Sequence, residues 1–366
     1  MGETPGWVQP TPPPQWGPPP PPPAQWGPPP PQYWAGWQPP PADVKPGIVA
    51  LRPLSVGEIL DGGFATIRRH PRIAFGFAAT FAALLELARL VTGLAMRNLT
   101  GSLSSFYSTS RRSPDELPQY HLNGAGLAST IVEYVLGGVF GALLAGIVTV
   151  VVGKAILGQH LTGRDVVEAV RPRAWRLLLV GLIAGLGPYA PALLVAILAV
   201  LASVVGDVAI ILVLVIGIPV AVAAGILLWG KLALAVPAFM LERLDAGASV
   251  TRSWRLVKGA FWRVWSLRAL VSLIVGVAGS VISLVFVFGS GLFGGFSFFT
   301  DGGQRPLGGL IVMAIGSAVV WMLTQPLLAA ALTLIYVDRR MRAEGLDIQL
   351  VQAARAAAAA PPAGRF

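Results

Sequence analysis

The chain has 366 residues, 54% of them hydrophobic and only 12% charged, with a mean hydropathy of +0.68. A soluble domain carries about a quarter charged residues, so this balance excludes a soluble globular protein and points to an integral membrane one. The net charge of +10 raises nucleic acid as a partner, but the basic residues stand beside apolar runs, where anionic lipid headgroups are nearer; with no cysteine, disulfides, thiolate metal sites and cysteine nucleophiles are excluded together. No nucleic acid, cofactor or metal is expected. The apolar runs are continuous rather than alternating, which excludes a closed β-barrel.

Residues 1–46 hold 19 of the 32 prolines and five of the 11 tryptophans, with "QWGPPPP" at Gln15 and again at Gln25. Proline removes backbone donors and restricts the residue before it, so this stretch reads as a disordered, polyproline-II-like tail. Trp7, Trp16, Trp26, Trp34 and Trp37 make it a candidate docking arm for a cytoplasmic protein partner, against the alternative of a spacer.

The next stretch, "LSVGEILDGGFATIRRHPR" at 54–72, reads as a capped amphipathic helix. Ser55 and Glu58 form a capping box, Leu54 and Ile59 a hydrophobic staple, and Ile59, Leu60, Phe64 and Ile67 one apolar face. Glu58 and Asp61 lie early, Arg68 and Arg69 late, as the helix dipole favours, and Pro71 ends the helix. The expectation is a helix on the inner leaflet that sets the angle of the following hairpin.

Six spanning helices are expected at about 73–96, 127–153, 177–201, 208–235, 267–289 and 308–335, each long enough for a ~30 Å hydrocarbon core. The first is expected to serve as an uncleaved insertion signal, since no leader pattern precedes it. "GLGPYAP" at 185–191 can split the third and "LALAVPAF" at 232–239 prolongs the fourth, so five to seven spans fit. With the N-terminus inside, the inner segments carry 21 Lys and Arg and the outer loops four, which places both termini in the cytoplasm; the membrane expected is the plasma membrane. Trp175, Trp254, Trp262, Trp265 and Tyr336 fall near the inner ends as an interfacial aromatic belt. The membrane region is then 47–340, followed by a cytoplasmic tail over 341–366.

The capped helix recurs. Thr162 and Asp165 repeat the cap, Leu161 and Val166 the staple, and Val166, Val167 and Val170 the stripe before "RPRAWR" at 171–176. A third copy, without a capping box, has Val250, Trp254 and Val257 at helical spacing. The fold expected is all-α, six spans as three hairpins, each preceded by a cytoplasmic amphipathic helix. The basic ends of the three copies, Arg68, Arg69, Arg72, Arg171, Arg173, Arg176, Arg252, Arg255, Lys258 and Arg263, form a candidate collar for anionic headgroups or a partner.

"LRPLSVGEILDGGFATIRRHPRIAFG" and "LALAVPAFMLERLDAGASVTRSWRLVKGAFWRV", with six spans and a tryptophan-dotted proline-rich tail, resemble actinobacterial members of the glycerophosphoryl diester phosphodiesterase membrane domain family. The resemblance covers about residues 50–340. It implies a stand-alone membrane domain linked to phospholipid or envelope processes. The phosphodiesterase module that gives the family its name has no counterpart here: His70, His121 and His160 are scattered, so catalysis is not carried over.

Inside the spans, Glu86 and Arg89 at i, i+3 are either a headgroup or proton site or a self-satisfied packing pair, and Glu133 either joins them or lies at the outer interface. Pro188, Pro191, Pro219 and Pro326 mark kinks or transporter-like broken helices, and "GGVFGALLAG" at 137–146 offers small residues for close packing, within the bundle or in an oligomer. No phosphate loop, dinucleotide fingerprint, HExxH or GxSxG element is present. The leading expectation is a non-enzymatic scaffold or accessory factor; the alternatives are a transporter or lipid-handling protein and, third, an enzyme acting on glycerophosphodiesters.

Overall fold

The computed structural model describes residues 52–100, 107–110, 119–122, 124–159, 161–202, 204–292 and 307–345. The expected proline-rich tail, its five tryptophans and most of the C-terminal tail lie outside these residues.

The described chain is almost wholly α-helical. α1 is Val56–Arg69 and α2 is Pro71–Thr100, with Pro71 beginning the second helix as well as ending the first. Proline suits that first position, where its missing N–H has no helical partner anyway. Two four-residue strands, β1 Tyr107–Ser110 and β2 Gln119–Leu122, form an antiparallel ladder with Tyr107 opposite Leu122, a hairpin that the sequence pattern did not announce. α3 is Gly124–Ile156. α4, Gly163–Val170, passes through a short 3₁₀ turn into α5, Ala174–Leu186. A second 3₁₀ turn at Gly187–Tyr189 breaks the third span at Pro188, and α6, Ala190–Ala202, completes it. α7 is Asp207–Lys231, α8 is Ala235–Glu242, α9 is Ala246–Val257, α10 is Phe261–Ser290 and α11 is Leu307–Glu344. α7 and α11 run on unbroken through Pro219 and Pro326.

Six of these stretches are long and apolar enough to cross a membrane, and they agree in number and order with the six expected. The three hairpins are present as neighbouring pairs: α2 with α3, α6 with α7, and α10 with α11. α11 is the hub, packed against α1, α2, α3 and α10. By contrast, α6 and α7 turn residues such as Leu194, Leu201, Ile211, Val215 and Ile216 outward. So much contiguous apolar surface has no place in water, and hydrocarbon is its matching solvent.

Both capping boxes are formed. Ser55 Oγ accepts from the Glu58 N–H at 3.3 Å while Glu58 Oε2 accepts from the Ser55 N–H at 2.7 Å, and Thr162 and Asp165 repeat the exchange at 3.3 and 2.9 Å. The third copy has Asp245 in extended conformation at the N-cap but no side-chain cap bond. Its carboxylate accepts from Arg176 at 3.0 Å instead.

The buried faces differ from those expected. On α1, Ile59 and Ile67 are buried together with Gly62, Gly63 and Thr66, whereas Phe64 is 45% exposed. The reason is close packing: a Cβ on Gly63 would stand 3.3 Å from Leu327 of α11, so the small residues must face that helix and the large ring turns away. The apolar face of α1 is therefore spent on α11 rather than laid on lipid. On α4, Val166 and Val170 are buried and Val167 is exposed. On α9 the buried face is Ser249, Ser253, Leu256 and Val257, and Trp254 is exposed. Ser253 explains the shift, because its Oγ donates to Lys231 O at 2.6 Å and accepts from the Leu234 N–H at 3.2 Å, satisfying backbone groups freed where α7 ends. Tyr336 is not part of an aromatic belt either: it is fully buried.

Candidate functional site

The ten collar residues separate into two sets. Arg68, Arg69, Arg72, Arg171, Arg255 and Lys258 are exposed, Arg173 is half-buried, and none of these seven forms an ion pair with a described residue. Arg176 is exposed and pairs with Asp245, a contact in which both partners keep more than half their surface in solvent and which contributes little. Arg252 and Arg263, in contrast, are drawn inward as structural cations.

Arg263 belongs to a clamp centred on Asp338, which is fully buried in the last turns of α11. Asp338 Oδ1 accepts from the Leu54 N–H and from Arg342 Nε, both at 2.8 Å, and Oδ2 accepts from Arg263 Nη2 at 3.3 Å. The Leu54 carbonyl accepts in turn from Arg263 at 3.1 Å and Arg342 at 3.0 Å. A buried carboxylate is tolerated only when its lone pairs are filled by donors of this kind. The loop before α1 is thereby fixed to both α10 and α11.

A second cluster adjoins it. Arg252 of α9 grips Glu242, at the end of α8, through two nitrogens at 2.9–3.0 Å and also pairs with Glu344. Tyr336 donates its hydroxyl to Glu242, and Arg340 stands 3.4 Å from the same carboxylate. Hydrogen bonding to Glu242 raises the Arg252 pKa further above its ordinary value, so this cation keeps its proton throughout the physiological range. Arg339 closes the α9 side by donating to Leu256 O at 3.0 and 3.2 Å. Asp338, Glu242, Arg339, Arg340, Arg342 and Glu344 did not stand out in the sequence, and Tyr336 stood out only as an interfacial aromatic. The one signal available was the density of charge in "FMLER" and "YVDRRMRAE" immediately after apolar spans.

The intramembrane candidates lie elsewhere. Arg89 Nη1 donates to Glu86 Oε1 at 2.7 Å on α2, with Glu86 buried, while Arg89 Nε is buried with no acceptor among the described residues. Glu133 is exposed near the start of α3 and forms no ion pair with them. In the small-residue stripe, Gly146 lies against Leu177 and Gly138 against Leu182, whereas a Cβ at Gly137 or Gly141 would meet nothing. Lys231 rests over the Trp254 ring at 5.5 Å. Among the described residues no group of three or more His, Asp or Glu is placed to hold a metal ion. One further residue went unremarked in the sequence: Arg268 of α10, which reads as an ordinary inner-loop cation and in fact reaches into the bundle over Trp229.

The fold and this basic end define a class: the chain is a multi-pass α-helical membrane protein. Comparison with protein-family models, curated proteins and solved structures gives no match.

Proposed function

We propose that this protein is a non-enzymatic membrane scaffold or accessory factor tied to phospholipid or envelope processes, seated in the plasma membrane with both termini in the cytoplasm. The observation that carries this reading is the basic end: seven cations that form no ion pair with a described residue, on segments flanking a clamp that makes α1, α8, α9, α10 and α11 one body. Cations beside membrane spans draw anionic headgroups at about 1 kcal/mol each. The resemblance to the glycerophosphoryl diester phosphodiesterase membrane domain family supports the link to phospholipid. The proline- and tryptophan-rich segment 1–46 supplies the arm for a cytoplasmic partner.

Native mass spectrometry of the gently extracted full chain, beside a chain lacking residues 1–46, tests the scaffold role. Specific protein partners should be present with the tail and lost without it. An identical partner set in both would refute the reading.

Orientation has its own measurement, because the chain contains no cysteine. Val205, 81% exposed in the turn between α6 and α7, and Ala248, exposed on α9, stand on opposite sides of the membrane if six spans alternate. In intact cells Val205→Cys should react with an impermeant thiol reagent and Ala248→Cys should stay silent until the cells are opened. The reverse pattern would invert the topology.

A further inference from the structure

Arg268 lies two turns into α10, within a span, and forms no ion pair with any described carboxylate. Its guanidinium stacks over the Trp229 ring at 4.3 Å and donates to the Trp229 carbonyl. An arginine at such a depth is costly, normally faces the interior or a cavity, and pairs with another charge or with a backbone carbonyl, here the carbonyl of Trp229. Here it lines a cleft of about 230 Å³ between α3, α5, α8, α10 and α11. Gln325, whose amide makes no hydrogen bond with a described residue, lines the same cleft. The room is made by glycines: Gly137, Gly141 and Gly185 form part of the wall, and a Cβ on any of them would meet no atom within 4 Å.

Trp229, the ring under Arg268, also lines an apolar groove of about 370 Å³, together with Trp265, Val195 and Gly225 among others. Its rim residues Tyr189, Ile218, Val222 and Ile226 are exposed on the surface that faces hydrocarbon. Trp265 is packed edge-on against Trp229, and its indole N–H is buried with no acceptor among the described residues. Buried donors are nearly always satisfied, so this one marks a place where an acceptor is missing. The groove alone, at about 370 Å³, falls within the ordinary ligand-pocket range of ~300–1,000 Å³, and the cleft of about 230 Å³ is linked to it through the Arg268–Trp229 contact. A lone cation, a free amide and an orphan N–H beside a groove open to lipid share one complement, an amphiphile with a phosphate at its polar end.

We infer that the cleft and groove form a binding site for one phospholipid, its phosphate on Arg268 with Gln325 as second donor, its acyl chain along the groove over Trp229 and Trp265. Basic pockets between spans at the inner side of a membrane bind phosphate headgroups for this reason: the guanidinium gives two directed, charge-assisted hydrogen bonds where competing water is scarce. The inference is independent of the scaffold reading, since it needs neither the tail nor the exposed collar.

The test is native mass spectrometry of the full-length protein in detergent, titrated with phosphatidylglycerol, with diacylglycerol of the same chains and with inorganic phosphate. One phosphatidylglycerol should bind saturably, and diacylglycerol should bind about tenfold or more weaker, the loss expected for one charged hydrogen bond. Arg268→Gln should show the same loss. Because that variant also gives up the bond to the Trp229 carbonyl, Gly185→Leu serves as a second: it adds bulk at a cleft-wall position where a Cβ meets nothing within 4 Å, and should exclude the lipid from a folded protein. Unchanged phosphatidylglycerol affinity in Gly185→Leu, or equal binding of diacylglycerol, would overturn the assignment. Full competition by inorganic phosphate would overturn the lipid as occupant in favour of a free anion. Deletion of residues 1–46 should leave this binding intact whatever becomes of the scaffold reading.

Discussion

Asp338→Ala should destabilise the folded protein by about 3 kcal/mol, measured as a shift in the midpoint of denaturation in mixed micelles. Removing one partner of a buried charge pair costs ~3–5 kcal/mol, because the other charge is left uncompensated. The lower end applies here, since the Arg263 and Arg342 side chains keep 38% and 33% of their surface in solvent. The Leu54 N–H adds to the loss, as it would be left buried without an acceptor. Asp338→Asn should recover part of the stability, because an amide oxygen can still accept from one of the two donors on Oδ1. The double variant Asp338→Ala with Arg342→Ala should fall short of the sum of the single effects, as residues in one network do. An alanine variant within about 0.5 kcal/mol of the parent, the range of an ordinary surface substitution, would show that the clamp does not hold this end together.

The second large effect is expected at Gly181, where α5 crosses α3. A Cβ there would overlap that of Ala142 and stand 3.1 Å from its Cα, so relief requires the two helices to part rather than a side chain to turn. Overpacking of this kind costs ~1–3 kcal/mol, and more when backbone must move. Gly181→Leu should therefore denature at a clearly lower midpoint, or fail to accumulate in the membrane. Gly185→Leu, one turn later on the same helix, should denature with the parent protein, because a Cβ at that position meets nothing within 4 Å. The pair isolates contact from composition: both changes add the same side chain to the same span, and only one has a helix in the way. Equal stability of the two variants would remove the close α3–α5 crossing.

What the sequence made legible follows from how far each signal reaches along the chain. A capping box is an exchange between residues three apart, so Ser55 with Glu58 and Thr162 with Asp165 could be read directly and were found. The six spans were legible because each is a long uninterrupted apolar run. Buried faces were legible only where they were greasy. Gly62, Gly63, Ser249 and Ser253 are buried by close approach and hydrogen bonding, properties to which hydrophobic spacing is blind, and the pattern chose Phe64 and Trp254 instead. The clamp was hidden for a different reason. Leu54 and Asp338 are 284 residues apart and Tyr336 and Glu242 are 94 apart, and nothing local in "YVDRRMRAE" says which of its charges turns inward. The collar was recognised as a set of cations, but its division into exposed residues and the two half-buried structural cations, Arg252 and Arg263, needed the partners in place. Arg268 shows the same limit, since its position one residue inside a run is uninformative until Trp229 and the glycine-walled cleft are seen around it.

The bond between Leu54 and Asp338 also bears on the order in which the protein can be made. Chains emerge from the ribosome N-terminus first and fold in that order where they can. Here the peptide group just ahead of α1 finds its acceptor on α11, and its carbonyl finds a donor in Arg342, 288 residues downstream. Until the sixth span has been inserted, α1 has neither its clamp nor the face of α11 on which Ile59, Gly63 and Ile67 are buried. Until α11 has been made, α1 is therefore an amphipathic segment without its latch, and the last of the described helices is the one that locks the first of them. A nascent chain halted before Asp338 would carry every span and still lack its latch, which makes that carboxylate a late checkpoint in biogenesis as much as a contact in the finished fold.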